Sequence, residues 1–244
     1  MSAAPLDLSA FASGRLLPIE TVPDPVFAAR MLGDGIAIDP DDGELRAPCA
    51  GRIVQLHAAH HACTLETAAG ARLLLHIGLD TVLLAGEGFV PRVETGAAVS
   101  AGQLLIEFDP AVLARHGRPA LTLLVVENGE EHPIVWRSTA RRIARGDPLL
   151  QLAASGTGQD AVDAPPGDEE QAQGWAVVRH GGGLHARPAG LLASVVRRFG
   201  AAVELRARGR TANARSASAV MALAVAEGEE VELGASGADA GDAL

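Results

Sequence analysis

The chain has 244 residues, a formal net charge of −10 and 48% hydrophobic residues, enough to bury one large core or two smaller ones. The acidic balance argues against a nucleic-acid partner, whose recognition needs a basic footprint. No apolar run approaches the roughly 18 residues of a membrane span, and the N-terminal MSAAPLDLSAF lacks a basic region leading an apolar core, so a soluble cytoplasmic protein is expected. All 20 basic residues are arginine, so one arginine alone is weak ground for a selected anion contact. Cys49 and Cys63 read as small buried thiols.

Residues 1–15, rich in Ala and Ser and without period, read as a flexible lead-in. From 16 to 152, short apolar runs alternate with Gly, Pro and Asp signals, as in GDGIAIDP, APCAGRIVQL, GQLLIEFDP and ALTLLVVENGE; this spacing predicts an all-β sandwich or closed barrel. Only 25–30 and 110–116, each opening on a proline, suit a turn of helix. LLLHIGLDTV sets His76 at the end of an apolar run, where an imidazole costs free energy unless it is hydrogen-bonded or reaches solvent. If 62–67 and 73–77 pair as a hairpin around 68–70, His61 and His76 come side by side.

Residues 153–174 hold Gly, Pro, Asp, Glu and Gln with one Val as their largest apolar residue, and read as a solvated linker. About twenty such residues span on the order of 25 Å root-mean-square. From 175 to 244 the order is strand, loop and helix, strand, strand, short helix, strand, an α+β pattern with an antiparallel sheet and helices on one face. In LHARPAG, Pro188 suits a first helical turn, and Ala189, Leu192, Val195, Val196 and Phe199 repeat as one apolar face. His185 therefore sits at or just before an N-cap, where outward NH groups and the dipole favour an anion, and Arg187 can add a fork of donors. A neutral imidazole there can attack phosphorus and hold the phosphoryl group covalently.

LHARPAG, with GRTANARSASAVMAL (209–223) and GEEVEL (228–233), resembles the histidine-containing phosphocarrier protein, HPr, of the bacterial sugar phosphotransferase system. The resemblance implies an open-faced α+β sandwich, a phosphoryl group on Nδ1 of His185, and steadying of its charge by Arg187 and the helix NH groups. Ser216 matches a position at which some bacteria place a regulatory phosphate, although a plain N-cap is the role its place at a helix start favours. The family would begin a third helix where ADAGDAL ends the chain, so the domain is expected to be incomplete at its C-terminus and destabilised. Over 16–152, HIGLDTV, HACTLE, GDGIAIDP, GEGF and IEFD resemble the glucose-type enzyme IIA of the same system. That resemblance implies that His76 accepts the phosphoryl group through Nε2, that His61 stabilises it and that Asp80 helps orient the site. His57 and His60 match no functional position and read as surface residues; Ala59 stands where the family often has a hydroxyl residue.

Together the resemblances imply a relay from enzyme I to His185, then His76, then enzyme IIB of a membrane transporter of the glucose or N-acetylglucosamine type. No cofactor or metal is implied, and enzyme I is either separate or fused downstream in a longer parent. Arg197, Arg198, Arg206, Arg208 and Arg210 suit docking of the second domain against the acidic first. Two other readings compete. Four histidines between 57 and 76 could bind zinc for hydrolysis, although His57 and Asp80 lie four positions from His61 and His76, a spacing that converges on a helix and not a strand. Alternatively the chain is a regulatory module that controls transporters or metabolic enzymes without passing the phosphoryl group on.

Overall fold

Where apolar residues are packed on both sides, a strand reads as a continuous hydrophobic run, and LLLHI is such a strand. The structure, a computed structural model, describes residues 4–154 and 171–244. The chain divides into two units, Met1–Thr157 and Gly158–Leu244. In the first, an eight-stranded antiparallel sheet runs in the order Arg142–Ile143, Gly14–Pro18, Asp34–Pro40, Thr122–Val126, Arg72–Ile77, Ala62–Glu66, Gly51–Leu56, Ala98–Val99. Two three-stranded sheets accompany it, one of Leu6–Ser9, Pro148–Leu152 and Ile134–Arg137, the other of Glu44–Arg46, Leu104–Phe108 and Phe89–Pro91.

Strand alternation sorts the central residues between two faces. Ile36, Ile38, Cys63, Leu65, Leu73, Leu75, Ile77, Leu124 and Val126 join one buried cluster with Phe11, Leu45, Leu105 and Leu150. Leu74, His76, Leu123 and Val125 alternate with them and take the other face, also buried. Helix α1, Pro25–Ala28, contributes to that second layer. It starts because Asp24 Oδ1 accepts from Val26 N at 2.9 Å and Pro25 opens the first turn; the cap sets Phe27 with its ring 5.3 Å from that of His76. Helix α2, Pro110–Arg115, begins the same way, on Asp109 and Pro110.

The expected flexible lead-in does not hold over its length. Leu6–Ser9 pairs with Pro148–Leu152, and Leu8, Phe11 and Ala12 are buried. Alternation in LDLS is short enough to be hidden among Ala and Ser, and its partner lies some 140 residues away, beyond any local signal. Cys49 and Cys63 are free and buried, as expected, and burial pushes their thiols up to about 11 and about 12.

The second unit is a four-stranded antiparallel sheet in the order Gln171–Val177, Glu230–Ser236, Ala202–Ala207, Arg210–Asn213, with helices α3, Ala186–Val196, and α4, Ala217–Ala222, packed together. Of the expected linker, 155–170 lies outside the described residues; its end, 171–174, belongs to the first strand of this sheet, where Gln171 pairs with Ser236 and Gly174 with Leu233. A polar edge strand resembles a linker in composition because only one side of its ladder is paired. Helix α3 buries Ala186, Ala189, Gly190, Ala193 and Val196, while Val195 is exposed and Leu192 half-buried. The expected apolar face is therefore rotated toward its small residues.

Beyond α3, two side chains tie the turn at 199–201. Arg215 donates to the carbonyls of Phe199 (2.6 Å) and Ala201 (3.3 Å), and the Asp239 carboxylate accepts from Gly200 N (2.7 Å) and Ala201 N (2.6 Å). The bond from Gly200 N is the main cause that holds Asp239 below its ordinary 3.8. A carboxyl lowered by folding stabilises the fold above its unfolded value and loses that contribution as pH falls through the folded one. Amide exchange at Gly200 and Ala201 is therefore expected to be slower in the wild type than in Asp239→Asn at pH 7, and the difference to shrink as pH falls below 3.8.

Candidate functional site

The hairpin of Ala62–Glu66 and Arg72–Ile77 turns through Thr67–Ala71, with Gly70 at φ +85°. Its register sets Ala62 opposite His76, and Ile77 N donates to His61 O at 2.8 Å, so the two histidines end the hairpin side by side. Their rings meet edge-on, centroids 4.9 Å apart and planes at 80°. Both are nearly buried, His61 at 1% and His76 at 3% exposure.

His76 Nδ1 lies 2.9 Å from the carbonyl oxygen of Gly78. A carbonyl only accepts, so Nδ1 carries the proton and a neutral ring has its lone pair on Nε2. Gly78 makes that contact possible at φ +72°: a Cβ there would stand 2.4 Å from Thr81 Cγ2 and 3.0 Å from Pro119 O. Gly78 N donates to Leu121 O at 3.1 Å and Thr81 Oγ1 to Ile77 O at 2.5 Å, which pins the turn on both sides. Asp80 follows in the left-handed region (φ 55°), and its carboxylate meets Arg118 at 3.3 Å. Gly78 and Arg118 escaped sequence reasoning, although a glycine two residues after a strand-end histidine is a signal for a backbone acceptor.

His57 is not the surface residue the sequence suggests. It is half-buried, its ring 4.4 Å from that of His61, and its Nδ1 accepts from Ala59 N at 3.3 Å. Its place follows from the turn at 57–60, closed by His60 N to His57 O at 2.8 Å with His60 at φ 54°. Among the described residues no group of three or more His, Cys, Asp or Glu is placed to hold a metal ion, so the zinc reading gains no ligand set.

His185 is the N-cap of α3, with extended backbone (φ −87°, ψ −172°), and its carbonyl accepts from Ala189 N at 3.0 Å. Its ring makes no capping bond to the helix; instead Nε2 lies 3.2 Å from His180 Nδ1. Arg187, half-buried, is in the first turn. The loop before it is forced by Gly183: at φ +73°, a Cβ would stand 2.1 Å from Val225 O, the carbonyl that accepts from Leu184 N at 2.9 Å. Ser216 caps α4, its Oγ accepting from Ala219 N at 3.3 Å. The arginines expected to dock on the first unit are partly engaged at home, Arg206 with Glu204 and Glu232, Arg208 with Glu229.

Each unit thus holds an imidazole oriented by a hydrogen bond at a ring nitrogen, His76 at the end of a sheet strand and His185 at a helix start. Such imidazoles suit the class of proteins that carry an electrophilic group on histidine. A family model described as phosphoenolpyruvate-dependent sugar phosphotransferase system, EIIA 1, matches residues 6–132, and one described as PTS HPr component phosphorylation site matches 173–244. The PTS system glucose-specific EIIA component of Halalkalibacterium halodurans is 42% identical over 138 residues, 57% of this chain and 80% of that protein. Glucose permease IIA from Mycoplasma capricolum is similar in structure, with a TM-score of 0.58 and 32% identity over 61% of this chain and 96% of that one. A phosphocarrier protein HPr from Bacillus anthracis is 35% identical over 30% of this chain and 88% of that one, with a TM-score of 0.29.

The chain belongs to the EIIA 1 family of the phosphoenolpyruvate-dependent sugar phosphotransferase system and carries an HPr component after it. It is a phosphotransferase that works through phosphohistidine, with enzyme I and the sugar-transporting components as its partners. No helix among the described residues is long and apolar enough to cross a membrane.

Substituting Gly78 tests the turn that orients His76. Gly78→Ala is expected to lower the stability of the first unit by roughly 1–3 kcal/mol, the cost of a strained left-handed residue, in denaturant unfolding. It should also broaden or shift the His76 Nδ1–H resonance.

Proposed function

We propose that His185 takes the phosphoryl group from enzyme I on Nδ1 and that His76 takes it from His185 on Nε2, then delivers it to enzyme IIB of a transporter for a glucose-type or N-acetylglucosamine-type sugar. The observation that supports this most directly is the Nδ1 bond from His76 to Gly78, since it directs the lone pair to Nε2. In the transfer, the P–N bond at His185 breaks as one forms at His76 Nε2. The electron pair returns to His185, and the number of protons on the two rings is unchanged. Such a step asks for in-line placement and charge compensation more than new covalent chemistry. His61, against His76, supplies a polarisable donor edge to the transferred oxygens, and Arg187 with the α3 NH groups does so at His185. Asp80, tied to Arg118, braces the loop that carries the Gly78 acceptor.

In this reading the steps need no cofactor or metal, the chain works in the cytoplasm, and enzyme I is a separate protein or a downstream part of a longer one. Ser216 acts as a helix cap whose phosphorylation would remove an acceptor from α4. Transfer runs within one chain or between two. A purely regulatory module would also label at His76 but would not pass the group on.

Incubating the chain with enzyme I and labelled phosphoenolpyruvate separates these roles. His185→Ala is expected to abolish label at both positions, while His76→Ala keeps label at 185. Undiminished label at 76 in His185→Ala would reject the order, and label retained at 76 in the presence of a competent enzyme IIB would favour the regulatory reading.

A further inference from the structure

The chain just before His185 is anchored on one carbonyl. Leu184 N donates to Val225 O at 2.9 Å, and a Cβ at Gly183 would stand 2.1 Å from that oxygen and 2.9 Å from Ala226 Cα. The placing of His185 therefore follows the placing of 224–226, a loop beyond α4 to which the proposed function gives no part. Ala224 lies there at φ 52°, a left-handed conformation that a residue with a Cβ keeps only where its surroundings hold it.

An ion pair grips this loop from both sides of Val225. Arg208 donates through Nη1 to Ala224 O at 2.8 Å, through Nη2 to both Glu229 oxygens at 2.6 Å and through Nε to Glu229 Oε1 at 3.2 Å. Glu229 Oε2 in turn accepts from Ala226 N at 2.7 Å. The polarity at each end is fixed, since only a donor can serve Ala224 O and only an acceptor can serve Ala226 N. Arg208 and Gly209, at φ 53° and 70°, make the two-residue turn between Ala202–Ala207 and Arg210–Asn213. Asn or Asp is the ordinary first residue of such a turn, so a long cation there goes against local preference and asks for another reason. The side chains are 49% and 39% exposed, and the pair adds little to overall stability. The Arg208 guanidinium, and after it the Ala226 amide, hold the Glu229 carboxyl below its ordinary 4.5.

We infer that Arg208 and Glu229 together are a positioning clamp for phosphoryl transfer at His185: by fixing Ala224 O and Ala226 N they fix the Val225 carbonyl on which Leu184, and so His185, is anchored. The clamp takes no part in the bond changes at phosphorus. Its effect is on placement, to which such transfers are sensitive within a fraction of an ångström. This rests on the reading of His185 as first acceptor. A clamp broken at either end gives the same defect. An arginine that served only to dock enzyme I by its charge would behave otherwise, since loss of Arg208 and loss of its carboxylate partner would then act in opposite directions.

The test uses the full chain as wild type, Arg208→Ala, Glu229→Ala and the double variant. Amide exchange is read at Leu184 and at Leu205, and label entering at 185 from enzyme I and phosphoenolpyruvate is followed as the concentration of the chain is varied. Each single variant is expected to speed exchange at Leu184 about fivefold, the worth of one neutral hydrogen bond, and to leave Leu205 in the sheet unchanged. Each should lower the maximal labelling rate about fivefold, for the same lost bond, with little change in the half-saturating concentration. The double variant should be no worse than either single one. Equal acceleration at Leu205, single variants with opposite effects, a change confined to the half-saturating concentration, or losses that add in the double variant would each overturn the inference. Absence of label at 185 in the wild type would instead sink the reading on which it rests, so the two failures are distinguishable.

Discussion

A carbonyl oxygen has no proton to give, and the 2.9 Å contact between Gly78 O and His76 Nδ1 therefore fixes where the His76 ring carries its hydrogen. A buried imidazole needs a partner to offset its lost hydration, and an interior strand has none to spare because its carbonyls already serve the ladder. The chain supplies one by leaving the ladder just after His76. Gly78 turns through the left-handed region and its amide takes Leu121 O. The central position of Arg72–Ile77, between Thr122–Val126 and Ala62–Glu66, then acts as a rigid base for the turn. Rigidity matters because phosphoryl transfer depends on placement to within a fraction of an ångström.

The second unit reaches a comparable arrangement by another route. His185 lies at the start of a helix and spends its carbonyl, not its ring, on the first helical bond. The ring has a lateral contact with His180, while the helix start offers NH groups and a favourable dipole to an anion. Helix α3 can lie close to its neighbours because its buried seam is Ala186, Ala189, Gly190, Ala193 and Val196. Larger side chains along that seam would lift the helix start, and the ring with it.

Much of this was legible in the sequence where the signal is local. The hairpin follows from apolar runs flanking a Gly-containing turn, and it delivers His61 to His76 as expected. LHARPAG gave the helix start within a residue, because Pro188 and the apolar repeat agree. What was lost depends on distant pairing or on backbone. Leu6–Ser9 becomes a strand only because Pro148–Leu152 lies beside it. The α3 face was misjudged because hydrophobic size was weighed above the close approach that small residues allow, so Ala193 was overlooked and Val195 counted as buried. His57 reads as a surface residue because it matches no functional position of the family, and the turn that brings its ring to His61 leaves no periodic signal.

Charge compensation links the two sites. A phosphoryl group brings close to two negative charges, and a bare carboxylate in the loop next to His76 would repel it. Asp80 is that carboxylate, and Arg118, from a segment 38 residues further on, answers its charge at 3.3 Å. Both side chains are about 28% exposed, so the pair adds little to stability; its consequence is electrostatic, since the paired charges leave the loop beside His76 near neutrality. In the second unit Arg208 is already held by Glu229 and Arg206 by Glu204 and Glu232, so these arginines do not bring uncompensated charge to a docking face. Half-buried Arg187 stands in the first turn after His185, where its charge and the helix dipole have the same sign. The two histidines therefore stand in different fields, a compensated loop beside His76 and a helix start with an arginine in its first turn at His185.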